Sequence, residues 1–223
     1  MDVADVVRPD PGLVAALGRL ATGTLANALD AVGATNSILP TIKSVAPGMR
    51  CAGTAVTIRE TVGPVGTYES KDFAVGALID AAEAGDIIVV EGGGLPISTW
   101  GGMATCAAVE KGIAGLVVDG GVRDLEEIIE FGLPVFARHL APTTGRTRLK
   151  VEAINYAITV DRIHIEPGDV IVADGTGVVV VPIGHIDEVL ALAEAFDRDD
   201  GQAVEDLKNG LSFSEAMAKF GNI

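Results

Sequence analysis

Short apolar runs alternate with alanine-rich stretches through the middle of the chain, and this alternation predicts strands and helices in turn. The run DIIVVE (86–91) and the apolar part of AGLVVDGG (114–121) have the length and the β-branched residues of buried strands. Between them, GMATCAAVEKG (102–112) predicts a helix that ends at Gly112. Strand, helix and strand in this order form a βαβ unit, whose two strands run parallel.

The remaining segments extend this pattern along the whole chain. We predict helices at 11–35 (broken near Gly23), 73–85, 124–132 and 186–220 (broken near Gly201 and Gly210), and strands at 49–60, at 133–140 and, as several short pieces, at 148–183. No linker or low-complexity segment interrupts the sequence. Residues 1–223 are therefore expected to form a single α/β domain.

Composition narrows the kind of core that this domain can have. Hydrophobic residues make up 48% of the 223 positions and aromatic residues only 4%, so the core has to be built from alanine, valine, isoleucine and leucine. Such a core is typical of buried parallel strands covered by helices. The two cysteines, Cys51 and Cys106, are too few for a disulfide-stabilised secreted scaffold, and we expect free buried thiols.

Charge and hydropathy exclude two classes of partner. The formal net charge of -15 repels a phosphate backbone and argues against nucleic acid. The longest apolar runs, such as GVVVVPI, are far shorter than the roughly 20 residues of a membrane-spanning helix. The N-terminal segment carries acids where a signal peptide is basic, so we expect a cytoplasmic protein with no membrane partner.

The βαβ unit brings two turns to the same edge of the predicted sheet. Parallel strands end at a common edge, where the turn before Gly102 and the turn holding Arg123 meet. Ligands of open α/β sheets bind at this edge. The sequence therefore predicts a ligand site between these turns.

The residue types at these turns suit an anion and a metal ion. The glycines at 92–94 and 101–102 leave backbone amides uncovered beside a helix N-terminus, which favours a carboxylate or a phosphate. Arg123 can clamp the same anion with two hydrogen bonds. Asp124 offers the hard oxygen ligand that Mg²⁺ or Mn²⁺ takes. A small 2-oxo acid would use all three elements, with its keto oxygen on the metal.

Each of these residues also has a purely structural interpretation. Asp124 is a good helix N-cap, and with Glu127 three positions later it resembles a capping box. Arg123 can form a surface ion pair with Glu126 or Glu127. The local sequence leaves these alternatives open.

Longer segments carry a resemblance to a known family. The segment from EGGGLPISTWGG to GVRDLEEIIEFGLPVFAR resembles the RraA-like family, and so do LATGTLANALDAVG (20–33), CAGTAVTI, PGDVIVADGTGVVVVP (167–182) and LKNGLSFSEAMAKFG (207–221). The family contains the class II 4-hydroxy-4-methyl-2-oxoglutarate / 4-carboxy-4-hydroxy-2-oxoadipate aldolases and the regulators of ribonuclease activity. Its members are often labelled demethylmenaquinone methyltransferase.

This resemblance implies a fold and an assembly. The fold is a swivelling β/β/α domain, a mixed sheet with helices packed around it. The assembly is a homotrimer or hexamer with sites between subunits, in which the C-terminal helices from about 186 pack at the interfaces. A further acid then comes from a neighbouring subunit, and the nearest candidates are Asp197, Asp199 and Asp200.

The resemblance also assigns the site residues. Arg123 binds the pyruvyl carboxylate, Asp124 holds Mg²⁺ or Mn²⁺, and the anion pocket is completed by the backbone amides of Gly101, Gly102, Met103 and Ala104. The implied activity is that of a divalent-metal-dependent lyase, which breaks a C–C bond of a small 2-oxo acid through a pyruvate enolate, as an aldolase or an oxaloacetate decarboxylase. The alternative is a non-catalytic binding protein of the ribonuclease-regulator kind.

One departure from the aldolase pattern bears on the chemistry. The family's aldolases place an aspartate 21 positions before the arginine, and this chain has Gly102 there. Without that carboxylate, proton transfer loses a group worth roughly 10² to 10⁴ in rate. Glu91 or His139 could substitute for it, and restoring an aspartate at position 102 is expected to raise aldol cleavage.

Overall fold

A mixed sheet of eleven strands forms the centre of the computed structural model, which describes residues 1–220. The strands are β1 Asp2–Val3, β2 Ile38–Leu39, β3 Lys43–Ser44, β4 Cys51–Val62, β5 Asp86–Glu91, β6 Ser98–Trp100, β7 Gly115–Val122, β8 Val135–Leu140, β9 Leu149–Ile154, β10 Ile158–Val160, β11 Ile163–Ile165, β12 Val170–Ala173 and β13 Val178–Val181. The α-helices are α1 Pro11–Arg19, α2 Thr22–Ala31, α3 Val75–Ala81, α4 Gly102–Lys111, α5 Leu125–Phe131, α6 Ile186–Lys208 and α7 Phe213–Lys219.

The sheet is parallel at its centre and antiparallel at its flanks. Its main order is β2-β13-β12-β4-β5-β7-β8-β3, with β4, β5, β7 and β8 parallel to one another. β9 pairs with the second half of β4, and β1 pairs with β9. β6 pairs in parallel with the last residues of β7. β10 and β11 form a separate hairpin. The expected α/β class, a mixed sheet with helices around it, is confirmed.

Both faces of the central strands are buried, as their continuous apolar sequences require. On one face, the side chains of β5 and β7 pack against α3, α4 and α5, with Ile88, Val90 and Leu116 fully buried. On the other face they pack against the β10–β11 hairpin. A third cluster joins β12 and β13 to α1, α2 and α6.

The two long helical segments confirm two of the three predicted breaks. The N-terminal segment breaks directly before Thr22, next to Gly23, and the Asp174 carboxylate accepts the Thr22 N–H and hydroxyl at 3.0 and 2.8 Å. The C-terminal segment breaks near Gly210, between α6 and α7. The predicted break at Gly201 is wrong, since α6 continues to Lys208. One glycine costs a helix only about 1 kcal/mol, and burial of Ala203 continues the apolar face beyond it.

The structure also bears on the thiols and on membrane spans. Both cysteines are free; burial raises the pKa of the Cys51 thiol to about 12, whereas Cys106 is only partly buried, contrary to expectation. Within residues 1–220, no single helix is long and apolar enough to cross a bilayer. Only α1 and α2 taken together meet that criterion of length and composition, as a pair bent by 111°.

Candidate functional site

The turn after β6 and the turn after β7 lie side by side at one edge of the sheet. β5 and β7 pair in parallel, with Ile87 opposite Gly115, so both strands end at that edge as the βαβ pattern predicts. β6 pairs with the last residues of β7, and the Arg123 N–H donates a hydrogen bond to the Trp100 carbonyl oxygen at 3.0 Å. The starts of α4 and α5 therefore share one site.

A cavity of about 550 Å³ opens at this edge, a size typical of small-ligand sites. Its lining includes all the residues that the sequence assigns to the substrate and the metal, namely Gly101, Gly102, Met103, Ala104, Arg123 and Asp124. Glu127 and Arg146 also line the cavity, and neither is among the predicted site residues. What these residues bind stays a prediction.

Asp124 connects the two helix starts. Its backbone is left-handed, with φ 59° and ψ 49°, a conformation that aspartate and asparagine tolerate better than most residues. It stands at the N-cap of α5, yet within the described chain its side chain makes no capping hydrogen bond. Oδ2 accepts the Gly102 N–H of α4 at 3.1 Å instead. The local capping box with Glu127 is therefore wrong.

Arg123 and Asp124 form an ion pair that remains open to a ligand. Arg123 Nε lies 3.4 Å from Asp124 Oδ2, and the side chains are 46% and 39% exposed. A pair so exposed contributes little to stability. The ion pair lies close to the backbone of Gly101 because this residue has no side chain. A Cβ there would overlap with the Asp124 carboxylate and lie 3.1 Å from Arg123 Nε.

Glu127 supplies a carboxylate beside Gly102, where the sequence has none. A Cβ on Gly102 would overlap with the Glu127 carboxylate and lie 2.9 Å from Glu127 Cβ. The carboxylate thus fills the space in which a side chain at position 102 would begin. Glu127 reaches this space from the first turn of α5, whose start lies beside the start of α4. In the sequence, Glu127 has the spacing of a capping partner for Asp124, so the sequence does not indicate it as a site residue.

Helix α4 presents its first amides to the cavity. Gly101, its N-cap, has no side chain that could bind them, and the first helical hydrogen bond runs from the Thr105 N–H to the Gly101 oxygen at 3.0 Å. The amides of Gly102, Met103 and Ala104 therefore have no acceptor within the helix. Asp124 takes the Gly102 amide. The amides of Met103 and Ala104 are left for an anion, and the binding of an anion by the Gly102 amide stays a prediction.

The sequence-based substitutes for the missing carboxylate are engaged elsewhere. Glu91 forms an ion pair with Arg59 at 3.4 Å, and His139 Nε2 lies 2.9 Å from the Gly94 carbonyl oxygen. Neither side chain is part of the cavity wall formed by the described residues. Glu127 is therefore the better candidate for the role that they were given.

The acids near the C-terminus lie together on α6. Burial, together with the charges of Asp197 and Asp199, raises the pKa of Asp200. Whether one of the three acids reaches the site of a neighbouring subunit stays a prediction.

Arg146 adds a second cation to the cavity. Its backbone N–H is bound to Thr144 Oγ1 at 3.2 Å, and no carboxylate of residues 1–220 forms an ion pair with its guanidinium. The wall near α3 is apolar and includes Phe73, Val75 and Ile79. The cavity therefore has two cations, and its wall is partly apolar. Only the two arginines of the polar stretch TGRTR signalled Arg146 in the sequence.

Comparison with known proteins agrees with this architecture. A Halalkalibacterium halodurans protein, provisionally named 4-hydroxy-4-methyl-2-oxoglutarate aldolase, is 32% identical over 80% of this chain and 80% of its own length. A crystal structure of an uncharacterised Pseudomonas syringae protein has a TM-score of 0.85 at 30% identity, over 94% of this chain and 98% of that one.

A second solved structure represents the regulator branch. Streptomyces coelicolor RraAS2, described as an unusual member of the RNase ES inhibitor RraA protein family, has a TM-score of 0.78 at 28% identity, over 91% of this chain and 99% of that one. The family model described as RraA-like (Aldolase/RraA) matches residues 22–180, well over half of the chain. The chain therefore belongs to the RraA-like family.

Proposed function

We propose that the protein is a divalent-metal-dependent lyase that cleaves a C–C bond of a 2-oxo acid through the enolate of pyruvate. One observation carries the proposal: the Asp124 and Glu127 carboxylates and the Arg123 guanidinium converge on the Gly101–Gly102 turn inside one cavity. Relatives that are named aldolases support the same class of reaction.

The side chains of the site fit Mg²⁺ or Mn²⁺ better than a metal that needs a full protein cage. No cluster of three or more histidine, cysteine or acidic side chains in residues 1–220 could enclose an ion. Mg²⁺ is commonly held by one or two carboxylates while it keeps waters and takes substrate oxygens. Asp124 would hold the ion, with Glu127 beside it. When bound, the dication supplies a Lewis acid that lowers the energy of the enolate charge.

The two arginines suit a substrate with an acid group at each end. Arg123 and the free amides of α4 would bind the carboxylate next to the keto group. Arg146 would bind the distal carboxylate, because it lines the same cavity and no described carboxylate neutralises it. A 2-oxo diacid such as oxaloacetate or a 4-hydroxy-2-oxoglutarate has this shape.

Glu127 would act as the base in the retro-aldol reaction. The C3–C4 bond of the substrate breaks, and its electron pair moves to C3 to form the enolate. The C4 hydroxyl loses its proton to Glu127 Oε2 as C4 becomes a carbonyl carbon. A proton from water then reaches C3, the hydroxide so formed takes the proton from Glu127, and pyruvate leaves. Oxaloacetate loses CO2 in the same way but has no hydroxyl proton, so its cleavage does not need this base.

The direct test is pyruvate release from 4-hydroxy-2-oxo diacids and oxaloacetate, with Mg²⁺ or Mn²⁺ and with a chelator. We expect turnover that the chelator abolishes and that Asp124→Ala removes. Glu130→Ala is the matched control, since this exposed acid on α5 is outside the cavity wall. Turnover that ignores the chelator would contradict the metal dependence, and no turnover with any substrate would favour the non-catalytic regulator.

We also propose that a neighbouring subunit covers the cavity, in a homotrimer or hexamer. Met103 at the cavity is 90% exposed, and Leu140, beside Arg123 and Asp124, is 54% exposed. Apolar side chains in such a position favour a covering protein surface. Light scattering on the wild type and on Met103→Asp/Leu140→Asp tests this, with smaller particles expected for the variant.

A further inference from the structure

Glu60 lies on β4 and is buried behind the cavity wall, at 6% exposure. Its Oε2 accepts a hydrogen bond from the hydroxyl of Thr99, a cavity residue, at 2.6 Å. Oε1 has no hydrogen-bond partner among the described residues. Burial raises the pKa of the Glu60 carboxyl to about 7, and the Thr99 hydrogen bond limits the rise.

Thr99 belongs to β6, which is connected to three parts of the cavity. The Ser98 N–H donates to the Thr143 oxygen at 2.8 Å, in the loop that leads to Arg146. The Trp100 oxygen accepts the Arg123 N–H, and Trp100 Nε1 donates to Thr105 Oγ1 in α4 at 3.0 Å. A displacement of β6 therefore reaches Arg123, the start of α4 and the Arg146 loop together.

Among the described residues, no charged side chain forms an ion pair with Glu60. On β4 and the strands beside it, Arg59 pairs with Glu91 at 3.4 Å and Lys150 with Glu152 at 3.0 Å. On the cavity side, Arg123 pairs with Asp124, and the remaining charges are Glu127 and Arg146. Burial and the Thr99 hydrogen bond, and not a neighbouring charge, therefore set the protonation of Glu60.

We propose that Glu60 is a positioning residue: in its neutral form it holds Thr99 and β6 in place for Arg123 and α4, and its ionisation displaces β6. An ionised carboxylate with a single donor and an unpaired oxygen is costly in a buried place. A shift of β6 that lets water reach the carboxylate relieves this cost. Only the effect on the ligand rests on the proposed function; the movement of β6 does not.

Trp100, the sole tryptophan of the chain, reports directly on β6. We expect its fluorescence emission to change with pH, with a midpoint near 7, and to be constant between pH 5.5 and 8.5 in Glu60→Gln. Thr99→Val removes the only hydrogen bond that the described residues donate to the Glu60 side chain, so the midpoint rises. A wild-type emission that does not titrate, or a transition that survives in Glu60→Gln, overturns the proposal. If Glu60→Gln does not fold, an unchanged midpoint in Thr99→Val overturns it.

His139→Gln is the control that separates the contribution of this histidine from that of Glu60, and it should keep the wild-type midpoint. Loss of the transition in this variant would assign it to His139 and overturn the proposal.

The second arm measures pyruvate binding with Mg²⁺ at pH 6 and pH 8. Affinity should fall at least about fivefold in the wild type, the lower end of usual couplings between sites, and stay constant in Glu60→Gln. An equal fall in both proteins overturns the positioning role. If pyruvate does not bind at all while Trp100 titrates as described, the proposed function fails and the role of Glu60 in holding β6 stands.

Discussion

The carboxylate of Glu127 occupies the space in which a side chain on Gly102 would begin, and a Cβ there would lie 2.9 Å from Glu127 Cβ. Position 102 and Glu127 therefore exclude each other: an acid at 102 has room only if Glu127 moves away. The expectation that an aspartate at position 102 simply raises aldol cleavage does not take account of this overlap.

The exclusion predicts the outcome of a carboxylate exchange. Glu127→Ala should lower kcat for a 4-hydroxy-2-oxo diacid about 10²-fold, the lower end for a lost general base. Gly102→Asp alone should give no gain, since two carboxylates then compete for one space. The double variant Gly102→Asp/Glu127→Ala should recover at least about tenfold over Glu127→Ala. Pyruvate release measures each rate.

Oxaloacetate is the internal control for this exchange. Its decarboxylation needs no hydroxyl proton removed, so Glu127→Ala should change its kcat less than about threefold, a small part of a general-base effect. Equal losses with both substrates would show that Glu127 serves folding or metal binding and not proton transfer.

A substitution of Arg123 tests whether this residue binds the substrate carboxylate through two hydrogen bonds or only through its positive charge. Arg123→Lys keeps the charge but loses the planar pair of donors. We expect kcat/KM to fall about 10- to 100-fold, as for hydrogen bonds of about 1.5–3 kcal/mol to a charged group. Steady-state kinetics measure kcat/KM, and inhibition by pyruvate measures how well the carboxylate binds. An unchanged pyruvate inhibition constant in Arg123→Lys would contradict the two hydrogen bonds from Arg123.

Asp124 should control the dependence on metal. Asp124→Asn keeps the volume, tolerates the left-handed backbone and removes the charge. The Mg²⁺ concentration for half-maximal activity should rise at least about tenfold, because a carboxylate is a far better ligand for a hard cation than an amide is. Titration of Mg²⁺ into chelator-treated protein measures it. A metal dependence equal to that of the wild type would remove Asp124 from the metal site.

Arg146 should discriminate between substrates by their distal end. Arg146→Met should raise KM about tenfold for oxaloacetate, in line with one lost charged hydrogen bond, and leave a 4-hydroxy-2-oxo monoacid unchanged. Arg148→Met is the matched control, since Arg148 is not part of the cavity wall of the described chain and its guanidinium donates to the backbone oxygen of Thr144 at 3.1 Å. A rise in KM for both substrates would contradict a role in recognising the second carboxylate.

Glu60 should make stability depend on pH in one window. Its pKa rises by burial from 4.5 to about 7, so between these values the folded protein keeps a proton that the unfolded chain has lost. The contribution of Glu60 to the free energy of unfolding therefore falls as the pH rises through this window, by about 3 kcal/mol in all. Urea unfolding at pH 4.5 and pH 8 should show Glu60→Gln gaining this amount over the wild type; a constant difference would contradict it.

The βαβ unit was predictable because its signals are local and agree with one another. The apolar runs at 86–91 and 114–121 became β5 and β7, and the helix from Gly102 begins and ends within a residue of its predicted bounds. Parallel pairing then follows from chain direction alone. The meeting of the Arg123 turn with the Gly102 turn depends only on this topology.

What the sequence could not give depends on side-chain direction and on distant contacts. The sequence does not predict β6, because Ser98–Trp100 is extended by pairing with β7 and not by its own composition. Glu127 and Asp124 had the spacing of a capping box, and only the left-handed backbone of Asp124 turns the carboxylate to α4. Arg146 approaches the cavity from a distant loop, which no local pattern indicates.

The overlap of Glu127 with Gly102 also concerns how such chains are compared. In an alignment, position 102 reads as a deleted acid, and a search for aspartate 21 residues before the arginine passes this chain over. In this chain the Glu127 carboxylate lies where a side chain at position 102 would begin, so a negative charge is present beside the start of α4 although position 102 is glycine. Relatives with glycine at this position are better sorted by the residue three places after the Arg-Asp pair than by the vacant column.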